Sequence, residues 1–218
     1  MANRTALLIG ASGLVGGHCL EYLLREQTYD KVRILVRKSI NKQHPKLEEH
    51  IIDFDNLEAS RSIISGTDLF SCIGTTFLKS PNREDYYRID FTYPHTIAKI
   101  AKENGCEQFS FVSAYSAKPN AIFFYSRVKG QFEEAMKELG FKTLNIMRPS
   151  YMRGERSEFR PIEKIGGAFL KLISPLLLGP FRSLRPIEAK KVAYAMVKAS
   201  LEAKPGVNVF VYDDIIKF

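Results

Sequence analysis

Thr5-Ala6-Leu7-Leu8-Ile9-Gly10-Ala11-Ser12-Gly13-Leu14-Val15-Gly16 decides how this chain is read. An apolar run feeds a glycine-rich turn, and a helical pattern follows from Gly17 to Gln27. Each glycine has a separate duty in such a turn. Gly10 permits the tight bend, Gly13 lets backbone N–H groups approach a pyrophosphate, and Gly16 lets the helix pack closely on the strand. The first N–H groups of the helix lack intrahelical partners and carry partial positive charge, which suits a phosphate. A plain strand–helix turn can use the same glycines. The strand, turn and helix together predict a dinucleotide site formed by Gly10, Ser12, Gly13, Leu14, Val15 and Gly16.

Working outward, apolar runs alternate with helical patterns. Strands are predicted near 5–9, 32–36, 49–53, 68–73, 108–112, 142–147 and 207–211. Helices are predicted near 14–27, 56–64, 84–104, 122–139, 161–173 and 187–203. Strands separated by helices of this length imply βαβ units with right-handed crossovers. The expected fold class is α/β, a Rossmann-type doubly wound parallel sheet. Residues 1–218 are read as one such domain, with a small substrate lobe or lid at 151–186 inside it. Ligands of these sheets bind beyond the C-terminal strand ends, so the residues there carry the functional reading.

Composition narrows the classes. With 218 residues and 45% hydrophobic content, the chain can bury a sizeable core. Cys19, Cys72 and Cys106 are far apart, and neither they nor the four histidines show metal-ligand spacing, so no metal is expected. The net charge of +8 is local: residues 31–46 carry +6 and residues 148–185 carry +5, leaving −3 on the rest. Such clusters do not form the broad basic and aromatic platform of a nucleic-acid surface, so no nucleic-acid partner is expected. Met1-Ala2-Asn3-Arg4 lacks the apolar core of a signal peptide, and Leu172 to Phe181 is too short for a membrane span. The expectation is a cytoplasmic protein, with a monomer, a homodimer and a protein partner all left open.

After the second strand the chain reads Val36-Arg37-Lys38, and no acid occurs between Lys31 and Lys46. NAD-binding sites usually place an acid there for the adenosine ribose hydroxyls, whereas a 2′-phosphate wants Arg and Lys. Arg37 and Lys38 therefore predict NADP(H) in preference to NAD(H); ordinary exposed bases are the alternative. After the third strand, Asp53-Phe54 lies where a carboxylate can accept from the adenine amino group, and Asp55 reads as a helix N-cap. Cys72-Ile73-Gly74-Thr75-Thr76 ends the fourth strand. Gly74 lets backbone lie close to a ribose, and Thr75 offers a hydroxyl. Ser113 ends the fifth strand, and Tyr125 and Lys129 follow one turn apart on a single helix face. A phenol near pKa 10 is a poor acid–base group at neutral pH (about 10 for free Tyr). A nearby ammonium favours the phenolate and can hold a ribose, while a serine hydroxyl can donate to a carbonyl oxygen gaining negative charge.

These motifs, together with Met147-Arg148-Pro149-Ser150, resemble the short-chain dehydrogenase/reductase family, and within it the atypical branch of Tat-interacting-protein-like oxidoreductases. The resemblance implies a Rossmann fold with a small C-terminal lobe. It implies Ser113, Tyr125 and Lys129 as the catalytic group and Pro149 beside the nicotinamide. Where many members carry an Asn that helps a proton-relay water, this chain has Asp90. Arg153, Arg156 and Arg160 stand where an anionic substrate or partner can meet them, or are solvent-facing. Ile165, Phe169, Leu172 and Ile173 fall at helical spacing and are read as covering the pocket or core. The function this implies is NADPH-dependent reduction of a small carbonyl compound, with Tyr125 as proton donor. An NADP(H)-sensing regulator and an NAD(P)-dependent epimerase or dehydratase are the alternatives.

Overall fold

The computed structural model describes residues 4–75, 80, 82–154 and 185–218. The first strand, β1 (Arg4–Ile9), leads through the glycine turn into α1 (Leu14–Arg25). β2 (Tyr29–Val36), β3 (Leu47–Ile51) and β4 (Asp68–Ser71) follow, then α2 (Arg83–Tyr87) and α3 (Tyr93–Glu103). β5 (Gln108–Val112), α4 (Phe124–Glu138) and β6 (Thr143–Met147) complete the central part. Two short strands, β7 (Met152–Arg153) and β8 (Ile187–Glu188), precede α5 (Ala189–Glu202), β9 (Gly206–Phe210) and α6 (Tyr212–Ile215).

Seven strands form one parallel sheet in the order β3-β2-β1-β4-β5-β6-β9. The first six repeat the dinucleotide-binding strand order, which reverses between β1 and β4. All seven strands and the fold class agree with the sequence reading. The near-continuous apolar character of the inner strands has a direct cause, because both sheet faces are covered. Along β1, Ala6 and Leu8 join the layer of α1 and α5, while Leu7 and Ile9 join the layer of α3 and α4. All four are fully buried.

Two helical expectations need revision. The stretch 84–104 is not one helix: Arg88–Thr92 between α2 and α3 is wound as a π-helix. The stretch 56–64 shortens to a 3-10 turn, Leu57–Ser60, with Asn56 rather than Asp55 at its N-cap position and no side-chain cap. Asp55 instead accepts from the Tyr93 hydroxyl at 2.5 Å, so its carboxylate is used in tertiary packing. The expected helix at 161–173 lies outside the described residues, as does most of the lobe at 151–186. At the edges of that segment, β7 and β8 pair in parallel, Met152 with Ile187 and Arg153 with Glu188.

Candidate active site

The glycine turn is built as its sequence requires. Gly10 has φ +82°, and a Cβ there would lie 2.5 Å from the Cys72 carbonyl carbon of β4's extension. A Cβ on Gly16 would lie 1.9 Å from the Gly10 carbonyl oxygen, so α1 and β1 approach closer than any side chain allows. The Gly13 N–H closes the turn on Gly10 O at 2.9 Å. Gly13 is the N-cap of α1, no side chain caps it, and its first turn contains no acid. The orphan N–H groups of Leu14 and Val15 therefore have no competing carboxylate, while Ser12 is exposed beside them. The turn lies at the strand-order reversal and fits the pyrophosphate of a dinucleotide.

Beside it, at the end of β2, Arg37 and Lys38 are exposed and have no ion-pair or hydrogen-bond partner among the described residues. The rest of the basic cluster is occupied. Lys31 and Arg33 pair with Glu48 at 2.6 and 2.9 Å, Lys42 pairs with Glu21 at 2.6 Å, and Lys46 donates to Glu26 O at 2.8 Å. Those two cations hold Glu48 below the usual carboxylate range, the Lys31 hydrogen bond contributing most. Past β3, Asp53 is exposed and its Oδ1 accepts the Asp55 N–H at 2.9 Å, while Phe54 is buried and packs edge-on against Tyr93.

The centre of the site joins residues distant in sequence. Gly74 and Thr75 follow β4. The Thr75 N–H donates to Asp90 Oδ2 at 2.7 Å, and Asp90 Oδ1 lies 2.7 Å from Lys129 Nζ. Both side chains are buried, Lys129 at 8% exposure and Asp90 at 0%. A Cβ on Gly74 would stand 3.3 Å from Asp90 Oδ1 and 3.5 Å from Lys129 Nζ, so the Gly74 backbone borders this pair directly. Tyr125, one turn before Lys129, leaves 43% of its surface exposed and sets its ring edge-on to buried Tyr86 at 6.4 Å. Its phenol is nevertheless raised above its ordinary pKa: burial of the hydroxyl raises it most, Lys129 pulls it down, and Asp90 pushes it up.

Ser113 takes a different partner. Its hydroxyl donates to buried Glu133, which also accepts a two-nitrogen ion pair from Arg148. Glu133 follows Lys129 by one turn of α4, so Tyr125, Lys129 and Glu133 form one ladder on that helix. Arg148 immediately precedes buried Pro149, whose carbonyl accepts the Tyr115 N–H at 2.9 Å. The loop after β5 presses onto α4 at Gly130, where a Cβ would meet the Lys118 carbonyl carbon at 2.1 Å.

The structure thus joins Gly74, Thr75, Lys129 and Tyr125 around Asp90 and ties Ser113 to Glu133. Sequence reasoning missed Glu133 and Arg148. The signal for Glu133 was its four-residue step from Lys129. Thr76, Arg156, Arg160, Ile165, Phe169, Leu172 and Ile173 lie outside the described residues. Arg153 sits in β7 and is half-buried. Among the described residues no cluster of His, Cys, Asp and Glu could hold a metal, and no helix is long and apolar enough to cross a membrane.

Comparison with known proteins agrees with this fold. The profile of the NAD(P)H-binding family matches residues 10–156. Protein HTATIP2 of Rattus norvegicus is 30% identical over 173 residues, covering 78% of this chain and 71% of that protein. Protein FMP52, mitochondrial, of Candida glabrata is 30% identical over 213 residues, covering 93% and 87%. Among solved structures, the Bordetella bronchiseptica enzyme WbmH in complex with NAD+ superimposes with a TM-score of 0.71 at 17% identity, covering 98% of this chain and 78% of that one. A short chain dehydrogenase family protein of Francisella tularensis superimposes with a TM-score of 0.65 at 16% identity, covering 96% and 97%. The fungal relatives overturn the cytoplasmic expectation, because the proteins of Candida glabrata and Aspergillus niger are named mitochondrial. That expectation rested on composition and the first few residues alone.

Proposed function

The chain belongs to the NAD(P)H-binding family, within the atypical short-chain dehydrogenase/reductase branch, and from that premise we propose that it reduces a small carbonyl compound with NADPH. The observation that carries this reading is the buried Lys129–Asp90 pair directly between Gly74 of the cofactor crevice and the Tyr125 helix face. Bound NADPH supplies the hydride. The N–H groups at Leu14 and Val15 hold the pyrophosphate, with Gly10, Gly13 and Gly16 giving it room and Ser12 beside it. Arg37 and Lys38 hold the adenosine 2′-phosphate as charge-assisted donors, which favours NADP(H) over NAD(H). Asp53 and Phe54 flank the adenine, Gly74 and Thr75 border the ribose, and Pro149 backs the nicotinamide.

Tyr125 is the general acid. Its phenol is protonated at neutral pH, so it has a proton to give to the carbonyl oxygen as negative charge develops there. Lys129 orients that phenol and binds the nicotinamide ribose. Ser113 steadies the carbonyl oxygen by turning its hydroxyl from Glu133 toward the substrate. The test is NADPH consumption by the purified protein against panels of aldehydes, ketones and quinones. Substrate-dependent consumption of NADPH, with much slower consumption of NADH, supports the reading. Tight NADPH binding without consumption by any panel member would replace it with cofactor sensing.

A further inference from the structure

Arg88–Thr92 is the only described helical segment wound with π geometry, and it carries Asp90. Such single turns recur at functional sites because they redirect one side chain inside an otherwise regular helix. Here the redirected carboxylate enters the site between Thr75 and Lys129, and both of its oxygens are used. A buried carboxylate or ammonium is costly unless paired, so each member of this pair requires the other. The pairing has a consequence for the neighbouring phenol. A lone ammonium one helical turn away stabilises a phenolate. An ammonium with a carboxylate 2.7 Å from it acts on the phenol as a dipole, whose influence falls off faster with distance.

We propose that Asp90 is a positioning residue that anchors the Lys129 ammonium and cancels enough of its charge to leave Tyr125 a weaker acid than a free tyrosine. The phenol thereby keeps its proton to higher pH, in the direction of giving one to a carbonyl oxygen rather than taking one from an alcohol. This direction rests on the reading of Tyr125 as the proton donor; the charge cancellation does not.

The groups around the pair agree. Tyr125 faces Lys129 and Asp90, with the Tyr86 ring against its own. Lys129 faces Asp90, Tyr125 and Glu133, and Glu133 is itself paired with Arg148. Burial works to lower the Lys129 ammonium; Asp90 most, then Tyr125 and Glu133, reverse that, and the net movement is upward. Tyr86 is pushed well above the ordinary phenol value by burial first and Asp90 next, so it offers Tyr125 no ionised neighbour.

The test follows the Tyr125 hydroxyl by NMR of protein labelled with carbon-13 at tyrosine Cζ, with Tyr125→Phe assigning its resonance. Wild type and Asp90→Asn are titrated with pH. The amide retains an oxygen for the Thr75 N–H and removes the charge. In wild type, Tyr125 should titrate above the ordinary phenol value of about 10; in Asp90→Asn it should fall by about one unit, a tenfold change in acidity. A resonance unmoved by Asp90→Asn, or moved upward, overturns the proposal. So does a wild-type Tyr125 titrating at or below about 10, which requires no variant to fold. No substrate or turnover enters this measurement. If the expected titrations were obtained and no carbonyl were reduced, the functional reading would fail and the role of Asp90 would stand.

Discussion

Replacing Arg37 and Lys38 together with alanine should separate NADPH from NADH. The structure sets the size of the effect by elimination. Lys31, Arg33, Lys42 and Lys46 already hold acids or a carbonyl, so Arg37 and Lys38 are the bases of that cluster left to meet a phosphate. Hydrogen bonds to charged groups contribute about 1.5–3 kcal/mol each. Both residues are exposed, which places them at the low end, so the pair contributes about 3 kcal/mol, or roughly a hundredfold in Kd. NADH lacks the 2′-phosphate, and its affinity should change by less than about threefold. Isothermal titration at matched ionic strength measures both, because exposed charges are screened by salt. Lys42→Ala is the control: it breaks the bond to Glu21 and should leave the NADPH-to-NADH ratio unchanged. Equal losses for both dinucleotides, or no loss for either, would refute the phosphate assignment.

Gly16→Ala places a Cβ 1.9 Å from the Gly10 carbonyl oxygen, so the turn must open. It should lose about 3 kcal/mol of stability, at the upper end for overpacking, and most of its dinucleotide affinity, read by thermal denaturation with and without NADPH. Glu133→Ala leaves Arg148 without its buried carboxylate and Ser113 without its acceptor. Urea unfolding should show a loss of about 3–5 kcal/mol, and a loss under about 1 kcal/mol would contradict the anchoring role. Burial pushes the Cys106 thiol up to about 12. Its folded value lies above its unfolded value of about 8.5, so the native state binds more protons between the two. The stabilisation is complete below about pH 8.5 and is lost as pH rises toward about 12. Urea midpoints should fall over that window, and Cys106→Ala should flatten the decline.

The sheet and the glycine turn were legible because their physics is local. Apolar runs of strand length punctuated by glycine leave few alternatives, as β1 followed by Gly10-Ala11-Ser12-Gly13 illustrates. The Tyr125–Lys129 spacing was legible for the same reason, since one helical turn fixes it. The π turn at Arg88–Thr92 was not, because its residues carry the same helical preferences as their neighbours. The partners of Lys129 and Ser113 were hidden similarly. Asp90 reaches Lys129 across two elements, and Glu133 chooses between Lys129 and Ser113 only once β5 and β6 place Ser113 and Arg148 beside it. Asp55 had the composition of an N-cap, but Tyr93 supplied a stronger tertiary partner.

The central claim is that Tyr125 delivers the proton. Single-turnover oxidation of bound NADPH by a carbonyl substrate, comparing wild type with Tyr125→Phe, tests it most directly. The ring lies at the rim of the crevice and leaves 43% of its surface exposed, so losing one hydroxyl should spare the fold and the NADPH affinity. The rate should fall by about 10²–10⁴-fold, the usual contribution of a positioned general acid. A Tyr125→Phe protein that binds NADPH normally and oxidises it within about threefold of the wild-type rate would contradict the account.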